Sequence, residues 1–359
     1  MEGRLYYLDW LRVVATFVVF IYHVVMFFNP FPWHVKNIEL DGTYMFLFTM
    51  ITSLWIMPLF FLISGASTYF ALQRYSVSQL AKDRLIRLGI PLIVAVFFLS
   101  PPQVYIERIT LEQFNGSFFQ FLPHYFDGLY LDIGGPGNFA FVGLHLWYVF
   151  FLLIFTYLTL PIFKKMLDSG KGSSPSFIGF GIFLFISYLL LFVETIGLGG
   201  WDLLYYLFVF IAGFKFISNS TFMEKVRAYF PILLIIGFVV AGWYGYISLG
   251  DAPSWISAKS AVLAVRVLGS WSLIFVLLGL FMMRFNRKTK TLQIGSKYAL
   301  PFYILHQPII VVIGYFLSSV EIAIPLKFIL LLVLSFFIIS ILLWLFEKIR
   351  ILRLPFGFK

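Results

Sequence analysis

Ten long apolar windows set what this chain can fold into. They lie near residues 8–28, 46–72, 88–106, 145–163, 177–194, 202–218, 229–249, 261–283, 298–317 and 326–346. Windows of this length suit helices crossing about 30 Å of hydrocarbon. Composition agrees: 61% of residues are hydrophobic and 12% charged, whereas a soluble domain carries about a quarter charged residues. Lipid must be the solvent for most of the surface. The expectation is an all-α integral membrane protein of about ten transmembrane helices, both termini cytoplasmic, with 1–359 as a single transmembrane domain.

Loop charges orient the helices. With the amino terminus inside, 20 of the 26 lysines and arginines fall in inner segments, from Arg4 to Lys359. The outer loops hold Lys36, Arg108, Lys259 and Lys327, and Arg12 and Arg266 lie within spans. That asymmetry alternates loop by loop, as the positive-inside rule requires. The net charge of +10 is thus a matter of topology, not nucleic-acid binding. The multi-pass location expected is the cytoplasmic membrane, with the bilayer as partner.

The first window contains Arg12 and His23 and lacks a small-residue cleavage pattern, so it reads as a retained helix. Pro58, Pro91, Pro101 and Pro102 predict kinks in the second and third helices. The longest polar stretch, 107–144, lies outside and reads as an interfacial cap over an outer cavity. The chain ends about a dozen residues after the last window, so no appended soluble domain is expected. There is no cysteine, which removes disulfides and acyl-cysteine intermediates.

Ionisable groups inside a bilayer are costly and mark function by default. Arg12 and His23, eleven positions apart, project from one helix face about 16 Å apart along the axis. Asp9, three residues before Arg12, is a natural ion-pair partner. The bland alternatives are a snorkelling arginine and a histidine bonded to a neighbouring helix. His145 opens the fourth window beside Trp147 and Tyr148, where an interfacial belt is ordinary. His306 and Gln307 precede Pro308 and read as polar helix-packing contacts. His34 and His124 read as solvated loop residues. Ser64-Gly65-Ala66-Ser67 reads first as close helix packing, and otherwise as room for a slender ligand. Arg84 and Arg87 can grip one phosphate, with topology or anionic lipid as the simpler role. The histidines are dispersed, without metal-ligand spacing, so no metal is expected.

Taken in order, these motifs resemble the membrane acyltransferase-3 family, which includes enzymes of glucan biosynthesis and sugar O-acetyltransferases. The matching residues are Leu8-Asp9-Trp10-Leu11-Arg12 with His23, Phe61-Leu62-Ile63-Ser64-Gly65, Arg84 with Arg87, His145-Leu146-Trp147-Tyr148, and Tyr303-Ile304-Leu305-His306-Gln307-Pro308. The resemblance implies transfer of an acyl group, acetyl or succinyl, from cytoplasmic acyl-coenzyme A to a carbohydrate hydroxyl. It makes His23 the essential histidine and the arginines donor ligands. Arg12, Arg84 and Arg87 would then hold acyl-CoA, whose arm runs beside the small residues of the second helix to His23. Asp9, Ser64, His145 and His306 would support. The acceptor would be a glycan, handled in the membrane domain, by a homo-oligomer or with a separate protein. The rival reading is a transporter of a sugar or lipid-linked solute using the same intramembrane charges.

Overall fold

A computed structural model describes residues 5–169, 176–193, 195, 202–250 and 258–358. Arg4, Lys171 and Lys359 from the loop-charge argument, and position 194 at the end of the fifth window, lie outside them.

The described residues are helical along each apolar window. In chain order the helices are α1 (Tyr6–Met26), α2 (Tyr44–Leu72), α3 (Val77–Thr110), α4 (Phe118–His124), α5 (Leu144–Asp168), α6 (Phe177–Leu190) and α7 (Leu203–Ile217). Then follow α8 (Ser220–Ala228), α9 (Phe230–Ser248), α10 (Lys259–Arg284), α11 (Lys290–Ser318) and α12 (Ile324–Lys348). Eight of them are long and apolar enough to cross a membrane, and the α7–α8 pair makes up to nine. The fifth window gives only the shorter apolar α6. Within the pair the chain turns by 93°. Asn219 starts α8 there by accepting from the Phe222 N–H at 2.9 Å, a standard N-cap. α8 carries Lys225 and Arg227 on an amphipathic helix, so it suits the headgroup layer.

Proline acts differently in the two helices where kinks are expected. α2 runs unbroken through Pro58. α3 instead contains two π turns, Leu85–Gly89 and Ala95–Leu99, just before Pro91 and the Pro101–Pro102 pair. A proline offers no N–H and crowds the carbonyl four residues back. The wider π turn absorbs that conflict, and such turns recur at functional sites. Here the first of them holds Arg87.

α1 is wedged between α2, α10 and α11, and α12 closes the α11 side. α2 crosses α7 at backbone contact. A Cβ on Gly65 would lie 1.9 Å from the Phe210 carbonyl oxygen, and one on Gly213 would lie 1.9 Å from that of Leu62. This corrects the slender-ligand reading of Gly65: that face is filled by a neighbouring helix. Gly213→Leu is expected to push α2 off α7 and destabilise the fold by at least the upper end of the usual overpacking range, about 1–3 kcal/mol. Gly242→Leu, with open space around its Cβ position, is the control. Thermal unfolding of purified protein in detergent compares them.

Candidate active site

The structure gathers three histidines from three helices. His23 on α1 and His306 on α11 meet with His23 Nδ1 3.1 Å from His306 Nε2. His145, at the start of α5, packs edge-on to His306 with ring centroids 5.0 Å apart. Their tautomers follow from their other partners. His23 Nδ1 lies 2.8 Å from the Val19 carbonyl oxygen and His306 Nδ1 2.6 Å from that of Tyr303. Carbonyl oxygens only accept, so both Nδ1 atoms carry the proton. His23 Nδ1–H is then shared between the Val19 oxygen and the His306 Nε2 lone pair. His23 Nε2 is left as a bare lone pair, with no hydrogen-bond partner among the described residues.

Pro308 explains why His145 docks here. Having no N–H, it leaves the Ile304 carbonyl without its helical partner. The His145 Nε2–H donates to that oxygen at 3.0 Å. The Tyr303 hydroxyl donates back to the His145 carbonyl, so α5 and α11 are cross-tied. His145 Nδ1 is thereby an acceptor, buried and without a partner among the described residues. The chain enters α5 through Gly143 and Leu144, both left-handed at φ +74° and +52°. Leucine rarely adopts that conformation, and the turn is what brings the imidazole inward. His145 is 5% exposed, buried among the helices.

His23 and His145 open onto a cavity of about 520 Å³ lined also by Trp33, His34, Tyr130, Trp147 and Gln307, among others, and His306 lies behind them, 1% exposed. His34 overturns its expected role as a solvated loop residue. It is 2% exposed and sits 2.5 Å from Glu107 Oε2 through Nδ1. The Gln307 amide N–H₂ donates both to His34 Nε2 at 3.2 Å and to Gln103 Oε1 at 3.1 Å. His124 does remain exposed, beside Asp127.

At the opposite end of α1, Arg12 donates to the Ser67 hydroxyl at 2.9 Å and pairs with Asp9 at 3.5 Å. Arg87 pairs with Asp83 at 3.5 Å, half-exposed. Arg84 feels the charges of both Arg12 and Arg87, and its Nε is buried with no partner among the described residues. Arg12 and Arg84 also lie within electrostatic reach of the Tyr148 phenol. That phenol is 2.7 Å from the Ser64 hydroxyl, and its ring packs on Tyr303, which in turn packs on His306. Tyr148 and Tyr303 therefore stand between the arginine cluster and the histidine cluster. Ser64 has a tyrosine for a neighbour and no base bonded to it among the described residues.

A model of the acyltransferase-3 family, described as an acyltransferase domain, matches residues 5–345. The chain belongs to this family. It is also 28% identical over 174 residues to glucans biosynthesis protein C of Escherichia coli K12, a match covering 48% of this chain and 42% of that protein. The counterparts from the O1:K1 and O139:H28 strains match with the same identity and coverage. The chain thus spans less than half the length of these relatives. No solved structure matches it.

Within this acyltransferase-3 chain the residues singled out by sequence fall into two groups. His23, His145 and His306 share one cluster. Arg12, Arg84, Arg87 and Asp9 share the other, and Ser64 lies between them. Sequence reasoning missed His34 and Glu107. His34 follows a Pro-Phe-Pro-Trp stretch that signals a loop, and Glu107 stands in the polar tail of α3. What marked them was the presence of a histidine and a carboxylate on segments that must both abut the membrane. Among the described residues no three His, Asp or Glu side chains are arranged to hold a metal ion.

Proposed function

We propose that this protein is a membrane-embedded O-acyltransferase, with both termini cytoplasmic, moving an acetyl or succinyl group from cytoplasmic acyl-CoA to a carbohydrate hydroxyl. The observation that carries the reading is His23 itself: Nδ1 is committed as a donor, and Nε2 keeps its lone pair beside a cavity. Family membership supports the reaction class, and the relatives named for glucan biosynthesis support a carbohydrate acceptor.

In the proposed step the acceptor hydroxyl attacks the thioester carbonyl as its proton passes to His23 Nε2. A carbon–oxygen bond forms and the carbon–sulfur bond breaks. The proton then moves from the imidazolium to the departing thiolate, so the ring returns to its starting tautomer. His306 accepts from Nδ1 throughout and stabilises the imidazolium, an orienting role of the kind that makes a histidine an effective base. Arg12, Arg84 and Arg87 hold the phosphates of coenzyme A as paired guanidinium donors. The direct mechanism fits better than an acyl-enzyme on Ser64, whose hydroxyl faces Tyr148.

The test incubates membranes containing the protein with acetyl- or succinyl-CoA labelled in the acyl group. Label on carbohydrate together with released coenzyme A is the expected result. Solute flux without coenzyme A turnover would replace this reading with a transporter.

A further inference from the structure

Glu107 and Arg108 are adjacent, buried and outside every role assigned above. Glu107 is fully buried and Arg108 is 4% exposed. Both stand at the end of α3 under the segment that follows α4. Each grips a different limb of that segment. Glu107 Oε2 accepts from the Tyr130 hydroxyl at 2.7 Å as well as from His34, and Oε1 accepts from the Gly134 N–H at 2.9 Å. Arg108 donates to the Asn138 side-chain oxygen at 2.8 Å and to the Gly137 carbonyl at 2.7 Å. Its Nη1 lies 3.4 Å from Glu107 Oε1.

Every polar neighbour of Glu107 is a donor. His34 offers Nδ1–H because Gln307 donates to its Nε2. Only a carboxylate accepts at both oxygens, so an amide would set an N–H₂ against two donors. The segment it holds is not remote from the chemistry. Tyr130, Leu131, Asp132 and Ile133 line the cavity that contains His23.

We infer that Glu107 is a positioning residue: it fastens residues 130–133 as a roof over the His23 cavity and so decides how the acyl group divides between acceptor hydroxyl and water. The roof itself stands on geometry, and its effect on partition rests on the function proposed above. With the roof loosened, water enters and attacks the thioester. A carboxylic acid and free coenzyme A then form, with the proton again passing through His23 to the thiolate.

The chain has no cysteine, which permits a direct readout. Val142 lines the same cavity and is 4% exposed. In full-length protein, Val142→Cys is labelled with a water-soluble maleimide, alone and combined with Glu107→Gln. Loss of charged hydrogen bonds should raise labelling about tenfold or more. In the Val142-containing protein, Glu107→Gln should raise acetyl-CoA hydrolysis and the KM for a linear glucan oligosaccharide, with the KM for acetyl-CoA unchanged. Should Glu107→Gln fail to fold, Tyr130→Phe removes a single donor to the same carboxylate and should move each readout the same way by less. Unchanged labelling in the folded variants overturns the roof. Faster labelling with unchanged partition overturns its effect on the reaction. Wild-type transfer by His23→Ala would instead remove the proposed catalytic site, and leave the labelling result standing.

Discussion

His23→Ala is expected to lower acyl transfer about 10²- to 10⁴-fold, equivalent to about 3–5 kcal/mol of transition-state stabilisation. The expectation follows from where its two nitrogens point. Nδ1 is held by Val19 and His306, and Nε2 is the atom with capacity to take a proton. Alanine removes that capacity without touching the arginine cluster at the other end of α1, so the KM for acyl-CoA should be preserved. His306→Ala should cost less, because the Val19 carbonyl still fixes the His23 tautomer when the His306 lone pair is gone. The order wild type, His306→Ala, His23→Ala is therefore the signature of a base with an orienting neighbour. Release of the coenzyme A thiol gives the rate, and a cysteine-free protein adds no thiol background. An alanine variant that transferred at the wild-type rate would exclude His23 as the base.

The helical fold was legible because hydrophobic length is a local property. Each window registers in its own twenty or so residues, and each of the ten coincides with a helix. α6 and the α7–α8 bend show where local reading stops, since a window cannot reveal that a helix is short or that the chain turns. The His23 and Arg12 relation was likewise readable, because both stand on one helix and helical geometry is fixed. The His145 position was not. It depends on an N–H missing from Pro308 and on a left-handed turn at Leu144, two features separated by more than 150 residues. His34 illustrates the same limit more sharply. Proline and aromatic residues around it say loop, and nothing local says that Glu107 lies underneath. Gly65 went the other way: small residues were read both as packing and as space, and only the α7 backbone decided between them.

Arg84→Ala combined with Arg87→Ala is expected to raise the KM for acyl-CoA about 10²- to 10³-fold with kcat little changed. Charge-assisted hydrogen bonds are each worth about 1.5–3 kcal/mol, and the half-exposed position of Arg87 places its share near the lower end. The effect should fall on KM because the nucleotide phosphates are gripped equally before and during the chemical step. Arg84 is central to the argument. Its Nε is buried without a partner among the described residues, and its charged neighbours include two more guanidinium groups, so three cations face only the carboxylates of Asp9 and Asp83 and the surplus positive charge favours an anion. That reasoning separates a phosphate site from a merely topological pair of cations. Acetyl-pantetheine carries the thioester and the arm but no nucleotide, so it should be used equally poorly by wild type and double variant. Loss of activity towards acetyl-pantetheine in the variant would mean that the arginines support the fold of α3. An unchanged KM for acetyl-CoA would mean that the donor binds elsewhere.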